Sequence, residues 1–377
     1  MRCVVVKPSA EAAHQIEVLG ELIAESLPSF VDSNYSVKVM DDVIEISTLD
    51  VVEVAEAVSR FSGVAYAALA EKVRTDFDEV LQAVVAAGEK GIFDNERFTV
   101  KVEAQRNLGY RASDLQSIAL TTLIGKVSGR GARPDEKRPD KVIYALISKE
   151  SVYVFTHRYL GSGGLPSGAA GSCLILVEPT VRSLVGGWLT QRVGFTPTYL
   201  VTNYPSQPKQ LYRSVENLAL LRCCVAKRSL QLLYVDVAKR IKVGGEGLEP
   251  NFSWSNFAAA LGVKAAVKEK IGSLSMPLDF RSRSAQDVLK YACREGVNLF
   301  SPAYFLSEDE LMVYVKKIGL QRSIPLDVVE SRLTVLDDSG RPISDLDEAV
   351  EFLLRGVVRV DLREGVLDAH RLTDKLT

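Results

Sequence analysis

Glu178, Pro179, Thr180, Arg182 and Ser183 follow a short, nearly continuous apolar run at 172–177 and precede an apolar pattern of helical period at 180–192. A strand that turns into a helix is a place where backbone N–H groups can hold a phosphate. The residue types work against that chemistry. Glu178 would repel a phosphate, and Pro179 has no N–H to offer. Arg182 remains able to attract an anion near the helix start. No residue is expected to be catalytic. The cysteines are Cys3, Cys173, Cys223, Cys224 and Cys293. Their odd number and irregular spacing argue against a disulfide framework. The histidines, His14, His157 and His370, are far apart, and no Cys-x-x-Cys occurs, so no metal site is expected. Cys293 sits among apolar neighbours in a helical pattern and reads as packing. Trp188 and Trp254 read as core rather than as base-stacking platforms, and Asp337-Asp338 as a turn.

The second concentration of chemistry is charge. The net charge is −2, yet residues 97–160 hold twelve Lys and Arg against six acids, which is +6 and leaves −8 elsewhere. Such segregation points to a polyanion-binding surface. Its candidate contacts are Lys101, Arg106, Arg111, Lys126, Arg130, Arg133, Lys137, Arg138 and Arg158, with Gly163 and Gly164 in the glycine-rich stretch that follows. The plain alternatives are a solvated loop for the arginines and a simple linker for the glycines.

The elements that must position these residues follow from periodicity. Strands are predicted at 2–7, 35–40, 43–46 and 64–68, and helices at 10–26 and 48–61 with Thr48 as N-cap. This βαββαβ order suits a ferredoxin-like module. A helix at 76–88, a strand at 97–104, a helix at 111–127, a loop at 129–139 and a hairpin at 142–158 form the basic module. Strands at 172–177, 198–202 and 230–237 then alternate with helices at 180–192 and 207–227, which implies a parallel sheet buried on both faces. Later helices are expected near 254–271, 285–295, 307–319 and 346–354. Later strands are expected at 298–301, 332–336 and 357–362, with a loop at 244–250. At 377 residues, with 47% hydrophobic and 25% charged, the chain is an ordinary multi-domain globular protein. No apolar run spans a membrane, and the N-terminal valines are too few for a signal peptide, so a cytoplasmic location is expected.

Three passages carry a resemblance. Phe98-Thr-Val-Lys-Val-Glu-Ala-Gln-Arg106 with Ser113-Asp-Leu is similar to the opening of a THUMP domain. The stretch from Tyr159 to Gly168 resembles the glycine-rich junction that leaves THUMP. Asn298-Leu-Phe-Ser-Pro302, with Ser307 to Leu311 and Lys316 to Gly319, resembles a late strand and helix of a PP-loop domain. Together they resemble the tRNA 4-thiouridine synthetase family.

The resemblance implies an α/β chain of ferredoxin-like (1–73), α/β THUMP (74–168) and doubly wound, parallel-sheet PP-loop-like (169–322) domains, with a C-terminal α/β extension (323–377). It also implies tRNA bound at its acceptor end, and dimers, either with itself or with an active relative. The family's Ser-Gly-Gly-x-Asp-Ser loop is replaced here by Glu178-Pro179-Thr180-Val181-Arg182-Ser183, in which only the last residue matches. The family also delivers sulfur through a late cysteine, and no cysteine follows Cys293. The expectation is therefore a tRNA-binding protein without adenylation, sulfur transfer, cofactor or metal. The alternatives are an active sulfurtransferase using ATP and magnesium, for which Gly186-Gly187 leaves some room, a non-catalytic subunit beside an active relative, and a structural protein without RNA.

Overall fold

The computed structural model describes residues 2–104, 109–203, 208–238, 241–243, 252–278, 283–319, 332–339 and 341–376. It divides into two compact units, Met1–Gly164 and Leu165–Thr377. Arg106 and the 244–250 loop lie outside the described residues.

The first unit holds β1 (Arg2–Pro8), α1 (Ile16–Ser26), β2 (Tyr35–Val39), β3 (Ile44–Thr48), α2 (Val51–Ser59), β4 (Val64–Val73), α3 (Phe77–Gly91), β5 (Arg97–Ala104), α4 (Ala112–Val127), β6 (Arg133–Pro134), β7 (Lys141–Ile147), β8 (Val152–Phe155) and β9 (Arg158–Leu160). The described strands form a single sheet in the order β2-β3-β1-β4-β8-β7-β5-β6, with β9 also on β4. One long strand makes this continuous. β4 pairs with β1 along Val64–Glu71, with β9 at Tyr66–Ala68 and with β8 at Glu71–Val73. On one face Phe98, Val100, Ile143, Ala145, Val152 and Val154 pack against Val80 and Val84 of α3 and Leu115, Ala119 and Leu123 of α4. Cys3, Val5, Tyr66, Ala68, Tyr144, Tyr153 and Phe155 form a separate buried cluster.

The expected cap at Thr48 is corrected. Thr48 ends β3 and its hydroxyl accepts the Asp50 N–H at 3.2 Å, while Asp50 occupies the N-cap of α2. Asp76 caps α3 by accepting from the amides of Asp78 and Glu79.

The second unit holds β10 (Ser172–Leu176), α5 (Val181–Arg192), β11 (Thr196–Thr202), α6 (Pro208–Arg222), β12 (Leu230–Val235), β13 (Ile241–Val243), β14 (Phe252–Ser253), α7 (Trp254–Lys268), β15 (Ser273–Ser275), α8 (Arg283–Arg294), β16 (Asn298–Phe300), α9 (Glu308–Ile318), β17 (Arg332–Val335), α10 (Leu346–Leu354), β18 (Val358–Leu362) and α11 (Ala369–Leu376). The main sheet runs β16-β15-β10-β11-β12-β18, parallel except for β18. Leu174 and Leu176 face α7, α8 and α10, and the alternating Ile175 and Val177 face α5, α6 and α11. A strand buried on both sides needs apolar residues at every position, which is what 173–177 supplies after the exposed Ser172. The doubly wound parallel sheet expected from the alternating pattern is therefore present.

The helix read through residue 227 stops at Arg222. The Arg222 guanidinium is buried and donates to the carbonyls of Val225, Lys227 and Arg228 at 3.2, 2.8 and 3.4 Å, so the chain turns there. Ser307 caps α9 in a reciprocal arrangement with Glu310, as its spacing predicts. Among the described residues no helix is long and apolar enough to cross a membrane.

Candidate functional site

Most of the candidate basic residues gather toward the two ends of β5. β5 and β7 run parallel from the Phe98–Lys141 pair to the Ala104–Ile147 pair, and α4 returns alongside them. The seven paired positions separate the two ends by roughly 20 Å at strand spacing. Lys126, Arg130, Arg133, Lys137 and Arg138 gather where β5 begins. Arg111 stands at the N-cap of α4, toward the other end, and Lys101 lies between, exposed on β5.

Some of these cations are committed to the fold. The Arg130 guanidinium donates to the carbonyls of Glu89 and Ile92 at 2.9 and 3.2 Å, completing the end of α3. Lys126 pairs with Glu89 at 3.4 Å. The Arg158 guanidinium lies 4.1 Å from the Tyr144 ring centroid and 5.1 Å from that of Tyr66, and it donates to the Tyr144 hydroxyl at 2.7 Å. Others face solvent. Arg133, Lys137 and Arg138 are exposed, and the backbone N–H groups of Lys137 and Arg138 both donate to Asp135 at 2.9 Å. These bonds hold the Asp135 carboxyl below the usual range. Arg97 grips Asp140 with two bonds of 2.9 and 2.7 Å, and this pairing lowers the Asp140 carboxyl strongly. Asp135 and Asp140 are thus engaged, Glu136 is exposed, and the three exposed cations Arg133, Lys137 and Arg138 outnumber it.

The glycine-rich stretch is shaped rather than loose. Gly161 donates to Ala65 O and Gly163 to Val64 O, both at 2.8 Å, and Gly63 donates to Gly163 O at 2.9 Å. A Cβ on Gly161 would run into the Val64 carbonyl. Gly163 and Gly164 have φ of +67° and +78°, which only glycine adopts easily. Past the unit boundary, Leu165 donates to Arg192 O at 2.9 Å and Gly168 to Gly194 O at 2.7 Å.

In the second unit the parallel strand order reverses direction between β10 and β15, and ligands of open α/β sheets bind at the carboxyl edge of such a point. The loop 178–183 lies there. Glu178, Pro179 and Thr180 are all buried. The Glu178 carboxylate accepts the Trp254 indole N–H at 3.0 Å. Its backbone N–H donates to the Ser183 hydroxyl at 2.8 Å, which in turn donates to Leu176 O at 3.1 Å. Thr180 caps α5 by accepting the Ser183 N–H at 3.2 Å. Asn217 of α6 donates to the Glu178 and Thr180 carbonyls at 2.8 and 3.1 Å. Arg182 donates to the carbonyls of Ala303 and Leu306 at 3.1 and 3.3 Å. Gly186 and Gly187 lie inside α5, and a Cβ on Gly187 would stand 2.9 Å from Leu221. On the neighbouring strands Asn203 donates to Asp236 at 2.6 Å and accepts from the Val237 and Ala238 amides at 2.7 and 3.0 Å. Periodicity had no means of finding this Glu178–Trp254 pair, because 76 residues separate the partners.

Trp188 and Trp254 are core, as their patterns suggest. Cys293 is not; it is exposed, because it falls on the outer side of α8 next to buried Ala292. Asp337 caps its own turn, accepting from the Ser339 and Arg341 amides at 2.8 and 2.9 Å. Among the described residues no cluster of metal-ligating side chains occurs.

Comparison with known proteins adds three findings. Residues 74–157 match the THUMP domain family model. Curated relatives bearing the name "Probable tRNA sulfurtransferase" include one from Alkaliphilus oremlandii, 25% identical over 40% of this chain and 39% of its own length. Another, from Methanocaldococcus jannaschii, is 24% identical over 47% and 48% respectively. The chain spans less than half the length of these relatives. Among solved structures, a 4-thiouridine synthetase in complex with RNA and bound ATP superposes with a TM-score of 0.66 at 16% identity, over 96% of this chain and all of that one. A protein from Pyrococcus horikoshii gives a TM-score of 0.60 at 16% identity, over 85% of this chain and all of its own. At such identity the likeness is one of fold. Residues 74–157 are thus a THUMP domain, carried on a chain whose fold resembles that of a 4-thiouridine synthetase.

Proposed function

We propose that this chain is a tRNA-binding protein related to the 4-thiouridine synthetases that neither adenylates RNA nor transfers sulfur. In this reading residues 1–73, 74–168, 169–322 and 323–377 are the ferredoxin-like, RNA-binding, PP-loop-like and C-terminal segments of a cytoplasmic protein. Arg133, Lys137 and Arg138 supply phosphate contacts, with Arg111 and Lys101 as a second group. Shape decides which RNA is held, and the acceptor end is the part the resemblance implies.

The observation that carries the loss of chemistry is the Glu178 carboxylate, buried at the switch point against Trp254. ATP is the group the family implies, and these residues do not fit its pyrophosphate. An anion there would meet a carboxylate, the Glu178 amide is taken by Ser183, and Pro179 has no amide hydrogen. Gly187 offers no substitute, because it is packed against Leu221 within a helix.

Titration of the purified chain with ATP and magnesium should give no saturable binding below millimolar concentration, while tRNA binds. A tight, stoichiometric ATP isotherm would reverse the reading. It would favour an active sulfurtransferase, which the names of the curated relatives support. Homodimers, or heterodimers in which this chain presents tRNA to an active relative, belong to the same reading. Co-purification with such a relative tests the latter.

A further inference from the structure

Phe93 lies at the end of α3, within the THUMP domain, and is 64% exposed. A single exposed apolar side chain needs no explanation. Phe93 differs in what surrounds it and in how firmly it is held. Its N–H donates to the Glu96 carboxylate at 2.8 Å. Ile92, immediately before it, is buried, and the Ile92 carbonyl accepts from Arg130. Asn95, two residues on, has a φ of +62° and donates its N–H to the Arg130 carbonyl at 3.0 Å. Arg133 donates its own N–H to the Glu96 carbonyl at 3.1 Å. The loop carrying the ring is thus tied on both sides to the exposed basic segment. The Lys141 ammonium stands 5.7 Å from the ring centroid, within cation–π range. Asp94 is an exposed acid beside it and Glu136 an exposed acid of the basic segment, while Asp135 and Asp140 are already paired with Arg97 or with amides.

We infer that Phe93 is a base-stacking platform for an unpaired nucleotide of the bound RNA, set beside Lys141 and the exposed Arg133, which attract the flanking phosphates. Aromatic rings that hold unpaired bases work in this way. The ring supplies a flat apolar face at little entropic cost, and nearby cations follow the backbone. Lys141 takes one face of the ring and a base takes the other. Duplex RNA has no unstacked base to give, so the platform distinguishes a single-stranded end or loop from a helix.

The inference rests on the tRNA-binding reading, and the test separates the two. Binding of the full chain is measured for an RNA hairpin with a short unpaired 3′ tail and for the same hairpin made blunt. Phe93→Ala should weaken binding of the tailed RNA by roughly five- to a hundred-fold, the range for one stacked base, and leave the blunt RNA unchanged. The slope of log affinity against log salt should stay the same, since no phosphate contact is lost. Phe93→Trp should retain affinity, and its new fluorescence should be quenched by the tailed RNA only. Unchanged affinity of Phe93→Ala for the tailed RNA, or an equal loss for both RNAs, would overturn the platform while leaving the basic surface intact. Failure of the wild-type chain to bind either RNA would overturn both.

Discussion

Burial separates the cysteines. Burial pushes the Cys3 thiol up to about 11 and the Cys173 thiol up to about 12, and Cys223 and Cys224 are buried as well. Cys293 alone is exposed. A thiol-exchange reagent at neutral pH should therefore label Cys293 in the native chain and reach the other four only after denaturation, because the thiolate is the reactive form. Mass spectrometry of the labelled peptides checks this; fast native labelling of Cys173 would contradict the packed β10. Trp254 gives a second prediction at this scale. Trp254→Phe removes the donor to a largely buried carboxylate, a loss of about 1.5–3 kcal/mol for a bond to a charged group. A urea midpoint unchanged by that substitution would show that the bond contributes nothing.

At the scale of elements, β3, β4 and β8 meet at Glu45. Its carboxylate accepts the Tyr153 hydroxyl at 2.6 Å and pairs with Lys72 at 2.8 Å. Burial pushes the Glu45 carboxyl up, but these bonds outweigh it and the net shift is downward. A depressed folded value means stability that is present above the ordinary glutamate value of about 4.3 and is lost as pH falls through the folded value. Thermal melts from pH 7 downward should show Glu45→Gln losing less stability than the wild type over that acidic range. Parallel curves would remove Glu45 from the linkage. At the end of β9, Gly161→Ala should destabilise the first unit by at least about 1–3 kcal/mol, the usual cost of overpacking, because the Val64 carbonyl occupies the space.

Much of this scale was legible beforehand. The βαββαβ order, the doubly buried strand at 172–177 and the cap at Ser307 are local patterns, and local periodicity reads them. What escaped was partly non-local, as with the Glu178–Trp254 bond, and partly specific side-chain contacts and short elements that an apolar period does not register. Nothing near residue 222 in sequence announces that its guanidinium will end α6. The three-residue β15 and the final helix α11 were too short or too polar to stand out. The exposure of Cys293 turns on a single step around a helix, finer than an apolar neighbourhood can resolve.

For the whole molecule, the +6 segment predicts RNA affinity that falls steeply with salt. If about six phosphates are contacted, affinity should drop roughly 10³-fold or more between 50 and 200 mM. Reversing Arg133, Lys137 and Arg138 together should reduce both the affinity and the slope. Arg130 is better left in place, since its loss would unfasten the end of α3 as well. Filter binding across a salt series reads both quantities, and an unchanged slope would move the RNA elsewhere. The charge count that suggested this surface was correct as a sum. It could not say that Arg158 stacks on two aromatic rings, or that the exposed Arg133, Lys137 and Arg138 gather at one end of β5 with Arg111 toward the other and Lys101 between.

The ten-residue β4 has a practical meaning for anyone who would borrow the THUMP domain. The family match begins at residue 74, immediately after that strand ends. A fragment started there would leave β8 without the neighbour it has at Glu71–Val73 and present an unpaired row of amides and carbonyls to other copies. Such a fragment should come out as aggregate, whereas one running from residue 1 through Gly164 keeps every described strand of the sheet beside the neighbours it has, with β2 and β6 as its edges. The recognisable domain and the piece that can be lifted out are different objects, and the seam between them runs down the middle of a sheet.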